Sequence, residues 1–112
     1  MKLMDIVRQL GLDVRCCPDR LGTVVTGGYA GDLLSDVMAH SAPGMLWITR
    51  QVHQNIIAVA ALKEHAGIII VQGARPDAAT LAKAAAESIP LMVTSRSAFE
   101  IAGTVYQLLQ RT

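Results

Sequence analysis

Three arginines stand just beyond three short apolar runs: Arg50 after MLWIT, Arg75 after GIIIV and Arg96 after PLMVT. Thr49, Gly73, Thr94 and Ser95 accompany them. A guanidinium group holds carboxylate or phosphate through paired N–H donors, so three of them gathered with hydroxyls would suit a small anion. If the runs are parallel strands, the residues following them lie at the carboxyl edge of the sheet. Ligands collect at that edge, and helix N-termini aim their amides there. The competing reading leaves the arginines solvated or paired with carboxylates such as Asp77 and Glu100, with Ser97 occupied as a helix cap. Only convergence in space makes a site of them.

The stretch VVTGGYAGDLLSDVM, residues 24 to 38, holds the second candidate. A dinucleotide-binding GxGxxG would align with Thr26, Gly28 and Gly31, which lacks the first glycine, and no acidic residue lies where a ribose would need one. There is no GxxxxGK[ST] and no lysine between Lys2 and Lys63, which excludes a nucleotide-hydrolysing P-loop. What remains is Thr26, Gly27 and Gly28, where the backbone can approach a ligand closely, ahead of a helix that Asp32 is placed to cap. A bend or a packing contact is the commoner use of glycine in a strand.

Catalytic and metal signatures are missing. His53 opens a helix near Thr49 and Asn55, without a Ser/His/Asp or Cys/His arrangement. A small transferase or hydrolase using His53 with Thr49 or Ser95 is the last-ranked reading. His40 and His65 fall at predicted helix C-termini, and none of the histidines has HxxxH or HxH spacing. Asp32 and Asp36 read as a cap and a solvated position. The adjacent Cys16 and Cys17 make an ordinary disulfide strained and supply no CxxC motif. In the strand-like run LDVRCC, neighbours point to opposite faces, so they read as structural thiols in a reducing, cytoplasmic setting, with a vicinal redox pair or a thiolate metal site as the alternatives. No catalytic residue, metal or cofactor is expected.

The elements that must position these residues follow from periodicity. Leu3, Ile6, Val7 and Leu10 repeat as one face of a short helix, and Gly11 follows as a left-handed cap. LDVRCC and TVVTGGY, separated by PDRLG, predict two strands in a hairpin or loosely paired. A helix carrying Leu33, Leu34, Val37 and Met38 should end before Pro43. From there the pattern is regular: MLWIT, GIIIV and PLMVT are strands, and HQNIIAVAALKEH and PDAATLAKAAAESI are the helices between them. SAFE at 97 to 100 is a capping box for a last helix reaching about Gln110. Gly103 interrupts that helix, and glycine inside a helix costs about 1 kcal/mol relative to alanine, so something is expected to pack closely against it.

The fold class is therefore α/β, with a mainly parallel sheet. The C-terminal two thirds are βαβαβα, preceded by an N-terminal helix and short β segments. With 112 residues and 52% hydrophobic composition, one compact domain over 1–112 is expected. The longest apolar stretches fall short of the roughly 20 residues a membrane span needs. The N-terminus lacks the apolar core of a secretory signal. Ten basic against nine acidic residues give a net charge of +1, and no basic stretch could track a phosphate backbone, so neither membrane nor nucleic acid is an expected partner.

The segments VVTGGYAGDLLSDVMAHSAPGMLWIT, QVHQNIIAVAALKEHAGIIIVQGARPD and PLMVTSRSAFEIAG resemble the DRTGG domain in its small stand-alone form. The resemblance spans nearly the whole chain, and Gly27 to Asp36 is its most specific part. It implies an α/β domain similar to the N-terminal domain of HPr kinase/phosphorylase, a tendency to homodimerise, and a setting beside catalytic domains without being the catalyst. The contiguous Asp-Arg-Thr-Gly-Gly does not occur: five residues separate Asp19-Arg20 from Thr26-Gly27-Gly28. Only those last three positions carry over. The combined expectation is a non-catalytic regulatory module that homodimerises and binds a small anionic metabolite or nucleotide at the strand ends. The alternative is a structural subunit that binds a partner enzyme through an apolar patch.

Overall fold

The three regular runs are apolar through their centres because helices cover both faces of the strands they form. A computed structural model describes residues 1–111. In chain order it contains α1 (Leu3–Leu10), β1 (Asp13–Cys16), a 3₁₀ turn (Pro18–Arg20), β2 (Gly27–Ala30), α2 (Leu34–His40) and β3 (Met45–Thr49). These are followed by α3 (Asn55–Lys63), β4 (Gly67–Ile70), α4 (Ala78–Glu87), β5 (Leu91–Val93) and α5 (Ala98–Gln110). The five strands form one sheet in the order β1-β5-β4-β3-β2. The strands β2 to β5 run parallel, and β1 lies antiparallel against β5.

Consecutive parallel strands step across the sheet in one direction, so the helices joining them fall on one face. There Val37 of α2, Ile56, Ile57 and Ala60 of α3 and Ala84 of α4 pack with Trp47, Ile68, Ile70 and Leu91. The alternate side chains Leu46, Ile48, Ile69 and Met92 point to the other face, where they meet Leu3, Ile6 and Leu10 of α1 and Ile101, Val105 and Leu108 of α5. Ile68, Ile69 and Ile70 are all 0% exposed, and each such side chain contributes about 1.5–3 kcal/mol by leaving water. Trp47, also fully buried, donates its indole N–H to the Gly31 carbonyl at 2.9 Å. Gly11 caps α1 at φ +62°. Gly44, at φ +83°, admits no side chain, since a Cβ there would stand 2.5 Å from Thr26 Oγ1.

The structure corrects several expectations. The two N-terminal strands do not pair: β1 and β2 occupy opposite edges of the sheet. Gly27 and Gly28 lie inside β2, as the run TVVTGGY predicted, and that strand is an edge of the sheet. Asp32 does not cap α2, whose N-cap is Leu33, and Leu33 is 68% exposed instead of buried with Val37. Only half of the capping box forms: Ser97 Oγ accepts from Glu100 N at 3.2 Å, while the Glu100 carboxylate turns to Arg96. Nothing lies within 4 Å of where a Gly103 side chain would begin. Ala98, Ala102, Val105 and Leu109 do pack against the chain's own core.

Candidate functional site

The chain leaving β4 turns sharply through two consecutive left-handed residues, Gln72 at φ +60° and Gly73 at φ +72°. This turn brings it against the end of β5. Gln72 N donates to Arg96 O at 2.8 Å and Gly73 N to Thr94 O at 3.0 Å. On the other side of β5, the antiparallel β1 sets Asp13 opposite Val93, and Leu10 and Gly11 at the end of α1 close the wall. Between them opens a cleft of about 410 Å³, lined by Leu10, Gly11, Asp13, Gly73, Ala74, Arg75, Val93, Thr94, Ser95 and Arg96.

Gly73, Arg75, Thr94, Ser95 and Arg96 thus share one cavity. Among the described residues Arg75 has no ion-pair partner. Arg96 Nε stands 3.5 Å from Glu100 Oε2 across one helical turn, with both side chains about half exposed. Such a pair is worth at most about 1 kcal/mol, so a bound anion can compete for the guanidinium. The Thr94 hydroxyl oxygen accepts from Arg96 N at 3.3 Å, which leaves its own proton free to donate. Asp13 brings one carboxylate to the rim, 4.0 Å from Arg15. Two guanidiniums, two hydroxyls and one carboxylate can hold an anion that also carries a donor.

The other expected site residues lie elsewhere. Thr49 is buried, and its hydroxyl donates to Asp32 Oδ1 at 2.7 Å. The same oxygen accepts from Arg50 N at 2.8 Å, and Gln51 Nε2 donates to Asp32 O at 3.0 Å. Asp32 is therefore the latch between the loops after β2 and β3. The Arg50 side chain is exposed and outside the cleft lining. Thr26, Gly27 and Gly28 lie at the opposite end of the sheet, since Gly27 is in register with Met45, the first residue of β3. Thr26 donates to Pro43 O at 3.2 Å, and Gly28 lines a groove of about 170 Å³ under α5 with Ala30, Ala102 and Tyr106. His53 Nδ1 accepts from Asn55 N at 3.1 Å; it and Thr49 each have a partner other than the other.

Leu10, Gly11 and Asp13 escaped sequence reasoning, because their place depends on β1 pairing with β5 and no motif in the run encodes that choice. Tyr29 is half-buried on β2, and its hydroxyl donates to the Asp36 carboxylate, which also meets His40 Nδ1 at 3.0 Å. That bond pushes the Tyr29 hydroxyl up to about 12 and lowers the Asp36 carboxyl, with His40 adding to the latter. Among the described residues no cluster of His, Cys, Asp and Glu could hold a metal ion, and no helix is long and apolar enough to cross a membrane.

No family model matches the sequence, and no curated protein does. Among solved structures, the chain is similar to the CBS and DRTGG domains of the regulatory region of Clostridium perfringens pyrophosphatase, crystallised with the activator diadenosine tetraphosphate. The TM-score is 0.76 at 15% identity, covering 95% of this chain and 46% of that one. The chain thus spans less than half the length of that neighbour, and the likeness is one of fold. The fold is DRTGG-like, as the resemblance in sequence implied.

Proposed function

We propose that this chain is a non-catalytic regulatory module that binds a small anionic metabolite, such as a nucleotide, in the cleft at the ends of β4 and β5. The observation that carries the reading is the cleft itself, where Arg75 and Arg96 flank Thr94 and Ser95 and the Arg75 guanidinium has no ion-pair partner among the described residues. The regulatory setting is supported by the shared fold: the C. perfringens neighbour is a regulatory region, and its activator is a nucleotide. A thermal-shift screen against nucleotides, sugar phosphates, carboxylates and coenzyme A derivatives tests it. A shift is expected for one phosphate or carboxylate class and lost in Arg75→Ala. Failure of every class to shift the protein contradicts it.

A second reading, a protein–protein role as homodimer or partner of an enzyme, is favoured by α5. Phe99 is 90% exposed and Tyr106 67%, and they flank Gly103, which is open where a side chain would be. Large apolar side chains grouped on one helix face mark interaction surfaces more often than solitary ones do. Self-association through this face predicts a dimer in sedimentation equilibrium that Phe99→Asp dissociates at least tenfold more readily. A wild-type protein that stays monomeric contradicts it.

A further inference from the structure

Sequence alternation places neighbouring strand residues on opposite faces, yet Cys16 Sγ and Cys17 Sγ stand only 2.8 Å apart. The reason is local. The strand β1 ends at Cys16 after a register shift, and Cys17 adopts φ +61°, ψ 52°, a left-handed conformation that is strained for a residue other than glycine. That turn swings both sulfurs to one side, closer than ordinary van der Waals contact between thiols. Backbone strain of this kind persists where the surroundings fix it, and it points to a task. Here the surroundings are Leu91, in register with the buried Cys16 across the sheet, and α4, toward whose Ala84 carbonyl the half-buried Cys17 thiol points at 3.7 Å.

We propose that Cys16 and Cys17 are a vicinal dithiol that closes reversibly to an intrachain disulfide by exchange with a low-molecular-weight disulfide. The more exposed Cys17 acts first: its thiolate attacks one sulfur of the external disulfide, forms a mixed disulfide and expels one thiolate. Cys16 then loses its proton to solvent, and its sulfur attacks Cys17 Sγ, forming the Cys16–Cys17 bond and expelling the second thiolate. Two protein thiols are oxidised, one external disulfide is reduced, and two external thiols leave. Burial and the neighbouring sulfur push the Cys16 thiol up to about 12, which slows the second step at neutral pH, while the short approach favours it by proximity. The eight-membered ring departs from relaxed disulfide geometry, so the bond is readily reduced again. This pair sits at the end of the edge strand β1, beside an exposed 3₁₀ turn.

The full chain equilibrated in glutathione buffers of graded oxidation, quenched in acid, unfolded and alkylated with a maleimide, reports the outcome by intact mass. The proposal predicts a monomeric species that takes up neither maleimide nor glutathione and regains both thiols on reduction. It also predicts that Cys16→Ser accumulates the glutathione adduct on Cys17 instead. Retention of both alkylatable thiols in the wild-type protein at the most oxidising ratio overturns the proposal. So does accumulation of only mixed disulfides or of chains crosslinked to one another.

Discussion

His65 follows the end of α3, 6% exposed and edge-on to Trp47 at 5.7 Å between ring centres. Its Nε2 is 2.8 Å from Ser41 Oγ, and Ser41 Oγ gives its own proton to Val37 O at 2.6 Å. The hydroxyl can therefore only accept from the ring, which fixes the proton on Nε2 and leaves Nδ1 a bare acceptor without a partner among the described residues. This geometry rules out Ser41 as a nucleophile activated by His65. Burial, with Lys63 adding to it, pushes the imidazole down from 6.5 to about 4. A base whose folded pKa is depressed binds its proton more readily in the unfolded chain. Its contribution to stability is whole above pH 6.5 and is lost as pH falls toward 4, to a total of about 3 kcal/mol. In His65→Gln, which keeps the donor to Ser41, urea unfolding between pH 7 and 4 should lose that part of its pH dependence; equal slopes for the two proteins would refute the assignment. At this scale the sequence was legible where residue type decides, as in Leu3, Ile6 and Leu10 on the buried face of α1. It was silent where a dihedral decides, as at Cys17, because nothing in a cysteine announces a positive φ.

Among the elements, the regular half was readable because its strands are buried on both faces and its helices are long enough to carry a period. The strands of the N-terminal third are four residues each, too short to signal which edge of the sheet they join, and so β1 and β2 were paired with each other. The cleft shared this fate: its β4 and β5 residues were anticipated, and its wall from α1 and β1 was not. Gly103 in α5 provides an energetic check. Since nothing occupies the space beside it, Gly103→Ala should stabilise the monomer by about 0.5–1 kcal/mol, raising the melting temperature by roughly 2–6 °C. A fall in dilute protein would place an unseen contact against that face within the chain. A rise in dilute protein with a fall in concentrated protein would put the contact between copies.

For the whole molecule, the direction of the four parallel strands gathers chemistry at one edge. The loops after β4 and β5 are stitched by Gln72 N to Arg96 O and Gly73 N to Thr94 O, and the antiparallel β1 turns that edge into a cleft. The same parallel order sends the glycines of β2 to the opposite end, which separates two candidate sites that sequence spacing alone could not tell apart. Anion binding between Arg75 and Arg96 is the central claim. Its most direct test is the melting temperature of the purified chain with each anion class, beside Arg75→Ala and Arg96→Ala. A ligand at about 100 times its dissociation constant should add roughly 2.7 kcal/mol, several degrees for a domain this small. Each substitution should weaken binding about 10- to 100-fold, as loss of a charged hydrogen bond does. A ligand that shifts the wild-type protein and both variants equally would contradict the claim, because it would be binding elsewhere on the molecule.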